Sequence, residues 1–265
     1  MGKVWLVGAG PGAPDLLTLR AARLLERADI VFYDALVHPD TLALARGARL
    51  VDVGKRNGKV STEQRFTNRA LVEAARTHAT VVRLKGGDPM LFGRAHEELE
   101  ALAAAGIETE VVPGITAALA ASASLGLSLT RRGLSRHVAF VTPRSGADQS
   151  PTEWLSAAAS ADTVAMYMAA TQSQSVATDL IAAGRPATTP AVFVESASLP
   201  GERVVATTLA HLRDGLSPTF EGPVLLLVGE VFRELGAMEH EAREATGYGA
   251  TVRLAITERC QARSA

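Results

Sequence analysis

The residues best placed for chemistry lie in two glycine-rich bends. The first, Gly8-Ala9-Gly10-Pro11-Gly12-Ala13-Pro14-Asp15, follows the apolar run Val4 to Val7. It matches the GxGxxG/A spacing that seats a dinucleotide pyrophosphate on a helix start, with Asp34 after the next apolar run as a ribose acceptor. Pro11 and Pro14 count against a nicotinamide cofactor, because each lacks a backbone N–H that a phosphate would need. A tight, ligand-free β-to-α turn fits the same residues. The second bend, Gly86-Gly87-Asp88-Pro89, follows Val81-Val82-Arg83-Leu84-Lys85. Ligands of open α/β sheets lie beyond the carboxyl ends of strands, so two such bends point to one crevice. Glycine there admits close backbone approach, and Asp88 offers an acceptor for hydroxyl or ammonium groups. The implied ligand is polar and need not carry phosphate.

The elements that must hold these bends are legible from periodicity. Short runs rich in Val, Ile and Phe alternate with longer stretches of helical period, the pattern of α/β architecture. Strands are expected at residues 4–7, 30–33, 50–53, 80–84 and 109–112, then at 138–142, 163–168, 191–195, 204–207 and 224–228. A helix stripe over Leu16 to Leu25 places Asp15 as its N-cap, and another over Glu97 to Ala105 stops at Gly106. Further helices are expected at 152–159, 173–183 and 208–212. The small-residue stretch Ile115 to Leu125 is the expected bridge between two domains, 1–120 and 121–240, followed by a tail over 241–265. Pro200-Gly201 between two β-prone runs predicts a hairpin, so the first sheet is expected to be parallel and the second mixed. A helix is expected after Glu230.

Composition narrows the function classes. Twenty-seven Lys and Arg against 28 Asp and Glu provide no basic field for nucleic acid or an anionic membrane. One cysteine, Cys260, and six histidines without paired ligand spacing predict no metal site. No run reaches the ~18 apolar residues of a membrane span, and the start of the chain reads as a strand rather than a charged leader. A cytoplasmic chain is the expectation.

Longer motifs carry a family resemblance. VGAGPGAPDLLTL (7–19), YDALV (33–37), VGKR (53–56), VVRLKGGDP (81–89), FGR (92–94), VVPGITAALAA (111–121) and VGEV (228–231) together resemble the tetrapyrrole methylase family, most closely its uroporphyrinogen-methylating branch. The resemblance spans nearly the whole chain, densely in the first half and thinly after residue 140. It implies two α/β domains with S-adenosylmethionine in the cleft between them, S-adenosylhomocysteine as product, and a homodimer. Matching positions for the cofactor are Pro11, Gly86, Gly87, Asp88, Leu91, Thr116, Ala117, Met168 and Ala197. A folded sulfonium cofactor needs apolar walls, backbone polar groups and a carboxylate acceptor, so the prolines of the first bend cease to be anomalous. Met168 by itself reads as a core residue.

The same match assigns an acceptor role to Asp34 and a donor role to Lys55. Taken singly, Asp34 reads equally as a turn acceptor and Lys55 as a solvated loop lysine. The family's default acceptor is uroporphyrinogen III, carried to precorrin-2. Its eight carboxylates suit two basic stretches: Lys55, Arg56, Lys59, Arg65 and Arg69, and Arg131, Arg132, Arg136 and Arg144. Two solvated basic faces would look the same. Arg56, Arg94, His96, Arg131 and Arg132 are the candidate substrate residues. Departures from the family pattern gather on loops that could face the acceptor: Ala95-His96 stands where two glycines are usual, Arg131 where a histidine is, and Ala13 where an aspartate is. A bulkier loop would suit a smaller heteroaromatic, such as the indole carbon 3 of a tryptophan cyclodipeptide, closing a pyrroloindoline. A nicotinamide oxidoreductase and a non-catalytic adenosylmethionine sensor are more distant alternatives.

Overall fold

The computed structural model describes residues 1–54, 60–143 and 153–235, with side chains of 60–63 left aside. The chain divides into two compact units, Met1–Ala120 and Ala121–Ala265.

The first unit alternates strands and helices: β1 (Lys3–Gly8), α1 (Leu19–Glu26), β2 (Ile30–Tyr33), α2 (Pro39–Leu42), β3 (Arg49–Asp52), α3 (Val60–Thr77), β4 (Thr80–Lys85), α4 (Ala95–Ala104) and β5 (Thr109–Val112). All strands pair in parallel, in the order β3-β2-β4-β1-β5. Strand alternation sorts the core onto two faces. Val7, Val31, Val82 and Leu84 pack on α1 through Ala21, Leu24 and Leu25. Val4, Leu6, Ile30, Phe32 and Val81 pack on α3 and α4 through Leu71, Ala75 and Leu102. Each such buried Leu contributes about 1.5–3 kcal/mol relative to exposure. Arg83 and Lys85 share the parity of Val81, so the central strand sends two cations toward the α3/α4 layer.

The second unit holds β6 (Val138–Val141), α6 (Glu153–Ser160), β7 (Thr163–Tyr167), α7 (Ser173–Ala182), β8 (Pro190–Glu195), β9 (Arg203–Thr208), α8 (Leu209–Arg213) and β10 (Val224–Gly229), with α5 (Ala117–Leu125) running across the division. The strand order is β6-β7-β10-β8-β9, with only β6 and β7 parallel. β8 and β9 form the hairpin expected around Pro200-Gly201. Met166, Phe193, Leu226 and Val228 pack against Val176, Leu180, Leu209 and Leu212.

Two local readings are corrected. Asp15 does not cap α1: Pro14–Leu16 form a separate 3-10 turn, and Thr18 is the cap, its hydroxyl accepting from the Ala21 N–H at 3.2 Å. Proline at the start of that turn closes it early and shifts the helix by one turn. The 18-residue α3, read only as a basic stretch, is the longest described helix; Leu71, Ala74 and Ala75 give it a buried stripe. Residues 230–232 form a 3-10 turn and residues 233–235 continue it as helix, where a helix was expected after Glu230. The rest of that segment and the expected tail from 241 lie outside the described residues. No described helix is long and apolar enough to cross a membrane.

Candidate functional site

Three loops converge at the carboxyl ends of β4, β1 and β5, which are neighbours in the sheet. The two glycine bends are joined directly: Gly10 N–H donates to the Gly87 carbonyl at 3.2 Å, and Gly87 N–H to the Gly10 carbonyl at 2.7 Å. Both glycines hold left-handed φ, 75° and 69°, which side-chain-bearing residues rarely adopt. The third loop closes on them. A Cβ on Gly8 would lie 2.6 Å from the Gly114 backbone and 2.7 Å from the Gly87 carbonyl oxygen, so the crossing requires glycine. Asp88 ties the loops together, accepting from Met90 N–H at 2.8 Å and from Gly114 N–H at 2.9 Å. The structure thus gathers Pro11, Gly86, Gly87, Asp88, Leu91, Thr116 and Ala117 around one clasp. Thr116 Cα sits 3.9 Å from where a Gly87 Cβ would be, and Leu91 N–H reaches the Asp88 carbonyl at 3.3 Å.

The clasp does not suit a pyrophosphate. Gly10 and Gly87 amides are paired with each other, Pro11 has none, and the next α-helix starts only at Leu19. A dinucleotide needs free amides at a helix start directly after the bend. A ligand met by apolar surface and a carboxylate fits these residues better.

Beside the clasp stands Asp34. One carboxylate oxygen accepts from Leu36 N–H at 3.1 Å and the other lies 3.7 Å from the Arg83 guanidinium. Leu36 in turn rests over Gly86, where any Cβ would fall 2.7 Å from its own. Behind Asp34 lies a buried charge set absent from the sequence reading. Arg83 Nε donates to Glu98 at 3.1 Å and Lys85 Nζ to the same carboxylate at 2.9 Å. Glu98 is fully buried, and Arg83 and Lys85 are 6% and 4% exposed. Burial pushes the Lys85 ammonium below its ordinary range, the neighbouring Arg83 charge acts in the same sense, and Glu98 opposes both. The signal was present: two cations two residues apart on the central strand face the same layer and demand an acid there.

The remaining candidates are dispersed. Arg94 makes a two-pronged pair with Glu97, at 2.7 and 2.8 Å, and this hydrogen bonding holds the Glu97 carboxyl below the usual range. His96 is exposed, with Nε2 3.0 Å from Glu100. In the second unit Arg131 pairs with Glu234 at 2.9 Å, Arg132 is exposed, Met168 follows β7 and is exposed at 43%, and Ala197 is buried after β8. Lys55 and Arg56 lie outside the described residues, as does Arg144. Five non-glycine residues hold left-handed φ among the described residues: Phe92, Arg94, Met168, Ser196 and Ser198. All five fall in, or directly flank, the expected ligand segments. Strain of about 1–3 kcal/mol per residue persists where surrounding structure imposes it, and such positions cluster at functional sites.

Comparison with known proteins identifies the family. Residues 3–213 match the family model described as Tetrapyrrole (Corrin/Porphyrin) Methylases. The chain belongs to the tetrapyrrole methylase family. A uroporphyrinogen-III C-methyltransferase of Pseudomonas aeruginosa is 46% identical over 235 residues, covering 88% of this chain and 96% of that protein. A siroheme synthase of Psychromonas ingrahamii is also 46% identical, over 87% of this chain, but the chain spans only 49% of its length. Among solved structures, a Thermus thermophilus uroporphyrin-III C-methyl transferase complexed with S-adenosylhomocysteine superposes with a TM-score of 0.77 at 42% identity, covering 88% of this chain and all of that one. A cobalt precorrin-4 methyltransferase gives 0.74 at 30% identity, over 86% and 95% of the two chains. The two α/β units, one sheet parallel and one mixed, are the tetrapyrrole methylase fold.

Proposed function

We propose that this methylase transfers methyl groups from S-adenosylmethionine to nucleophilic ring carbons of uroporphyrinogen III, yielding precorrin-2 and S-adenosylhomocysteine. The observation that carries the reading is the clasp: two glycine bends, pinned to a third loop by Asp88, present a carboxylate while the Gly10 and Gly87 N–H groups are taken by each other's carbonyls. That donor set suits a zwitterionic sulfonium and disfavours a phosphate. When bound, the cofactor supplies a methyl group already activated by its sulfonium, for displacement in line by carbon.

The protein's task is then to hold, orient and relieve charge. Pro11, Gly86, Gly87, Asp88, Leu91, Thr116, Ala117, Met168 and Ala197 are the residues assigned to the cofactor. When a pyrrole carbon takes the methyl group the ring becomes cationic, and it afterwards loses a proton from another position. The Asp34 carboxylate stabilises that charge or takes the proton, and Lys55 donates to the acceptor. Arg56, Arg94, Arg131 and Arg132 meet substrate carboxylates. A homodimer and a cytoplasmic location belong to the same reading.

A second reading, C3-methylation of an indole in a tryptophan cyclodipeptide, is favoured by one region. Arg94 is already committed to Glu97, and Ala95-His96 fills the start of α4 where glycines are usual. There His96 or Asp34 would be the base. One experiment separates the readings. Anaerobic incubation of the protein and S-adenosylmethionine with uroporphyrinogen III, in parallel with tryptophan cyclodipeptides, is followed by mass spectrometry. Methyl additions to the tetrapyrrole are expected, while additions to the indole alone would overturn the first reading. Calorimetry should show binding of S-adenosylhomocysteine and none of NAD. Asp34→Asn should keep that affinity within about twofold and slow turnover by ~100-fold or more.

A further inference from the structure

The buried charges behind Asp34 do not balance without it. Arg83 and Lys85 bring two cations into the α3/α4 layer and Glu98 brings one anion. Asp34, its side chain 26% exposed, is the fourth charge and the one that opens to solvent. Glu98 divides its oxygens: Oε1 takes Arg83 Nε and the Gln64 amide, the latter at 3.2 Å, while Oε2 takes Lys85. Arg83 is held twice more by the backbone and by its burial, its Nη1 donating to the Leu84 carbonyl at 2.9 Å. Gln64 also donates to Asn68 at 3.0 Å, and Asn68 to the Glu97 carbonyl at 3.0 Å. One polar chain therefore runs from α3 through α4 and β4 to the carboxylate after β2. Gly93 keeps it open, since a Cβ there would sit 3.1 Å from Lys85 Cε.

We propose that Arg83, fixed in place by Glu98, is a positioning residue that sets the plane of the Asp34 carboxylate. Arg83 faces one oxygen of Asp34 and Leu36 N–H bonds the other, so the carboxylate is restrained from both sides and its outward lone pairs keep one direction. A buried guanidinium serves this purpose because burial and hydrogen bonds from two of its nitrogens, to Glu98 and to the Leu84 carbonyl, leave it little rotational freedom. Asp52, at the end of the adjacent β3, is occupied by Gly54 N–H at 2.7 Å and does not compete. The inference rests on the proposed role of Asp34 in methyl transfer.

The test is a double-mutant cycle on the full chain. Arg83→Met leaves the buried Lys85–Glu98 pair intact, and the charge left over is that of Asp34, the one member open to solvent. Its kcat should fall ~10- to 100-fold with KM and S-adenosylhomocysteine affinity within about twofold. In an Asp34→Asn background the same change should cost nothing further, and Arg83→Lys should recover part of the loss. Equal losses in both backgrounds, or a collapse of cofactor affinity, would overturn the proposal. A second measurement needs no substrate. In protein carrying carboxyl-labelled aspartate, the Asp34 resonance, assigned by its disappearance in Asp34→Asn, should move in Arg83→Met and return toward its original position in Arg83→Lys. An unmoved resonance would overturn the positioning role even if uroporphyrinogen III proved not to be the acceptor. Absence of turnover by the unmodified protein, with that resonance responding as expected, would overturn only the assigned reaction.

Discussion

Asp88 shows how one side chain can serve both architecture and ligand. Its two oxygens each accept a backbone N–H, from Met90 and Gly114, and a carboxylate still has lone pairs for a third partner. Asp88→Ala removes both backbone partners and should cost about 1–3 kcal/mol, measured by urea denaturation. Asp88→Asn keeps an acceptor oxygen and should cost less. Calorimetry should show the alanine variant binding S-adenosylhomocysteine more weakly than the asparagine variant; equal affinity in both would mean that Asp88 shapes the loops without touching the cofactor. Asp88 and Asp34 were legible because each ends an apolar run beside glycine or a turn. Glu98 was not: it reads as an ordinary helix-face acid, and its partners Arg83 and Lys85 are 15 and 13 residues away on a different element. Only packing brings them together.

At the scale of elements, the convergence of three strand ends depends on missing side chains. Gly8→Ala would drive a methyl group into the backbone of both Gly114 and Gly87. No rotamer change can relieve a clash with main chain, so the variant should lose at least ~1–3 kcal/mol, seen as a lowered melting temperature. A variant that melts with the native protein would mean the loops can separate without harm. Strand positions were readable to within a residue or two because β-rich runs are bounded by Gly, Pro and Asp. Helix beginnings were less readable. Asp15 and Thr18 are both acceptable caps, and only the 3-10 turn imposed by Pro14 decides between them. The α3 stripe was obscured by the arginines on its exposed face.

At the scale of the whole molecule, acid should weaken the second unit through identifiable groups. Backbone hydrogen bonds from Gly222 and Glu221, with the Arg203 charge, hold the Glu195 carboxyl below its ordinary value of 4.5. Amides of Arg136 and His137 do the same for Asp162. A carboxylate depressed in the folded state adds stability that is present above its unfolded pKa and lost as pH falls through the folded one. Thermal melting should therefore decline below about pH 4.5, and Glu195→Gln, which still accepts both amides, should flatten the decline. An unchanged slope would remove Glu195 from that account.

Strand order has a further consequence during synthesis. β1 ends up between β4 and β5, its only two sheet partners. Both follow it in the chain, β5 by about a hundred residues, which at roughly 5–20 residues per second is on the order of 5–20 s. Until β4 is made the nascent Val-Trp-Leu-Val segment has neither edge satisfied, and until β5 follows it still lacks one. Shielding of this stretch on the ribosome, rather than the strength of the finished sheet, would then govern how much newly made chain escapes aggregation.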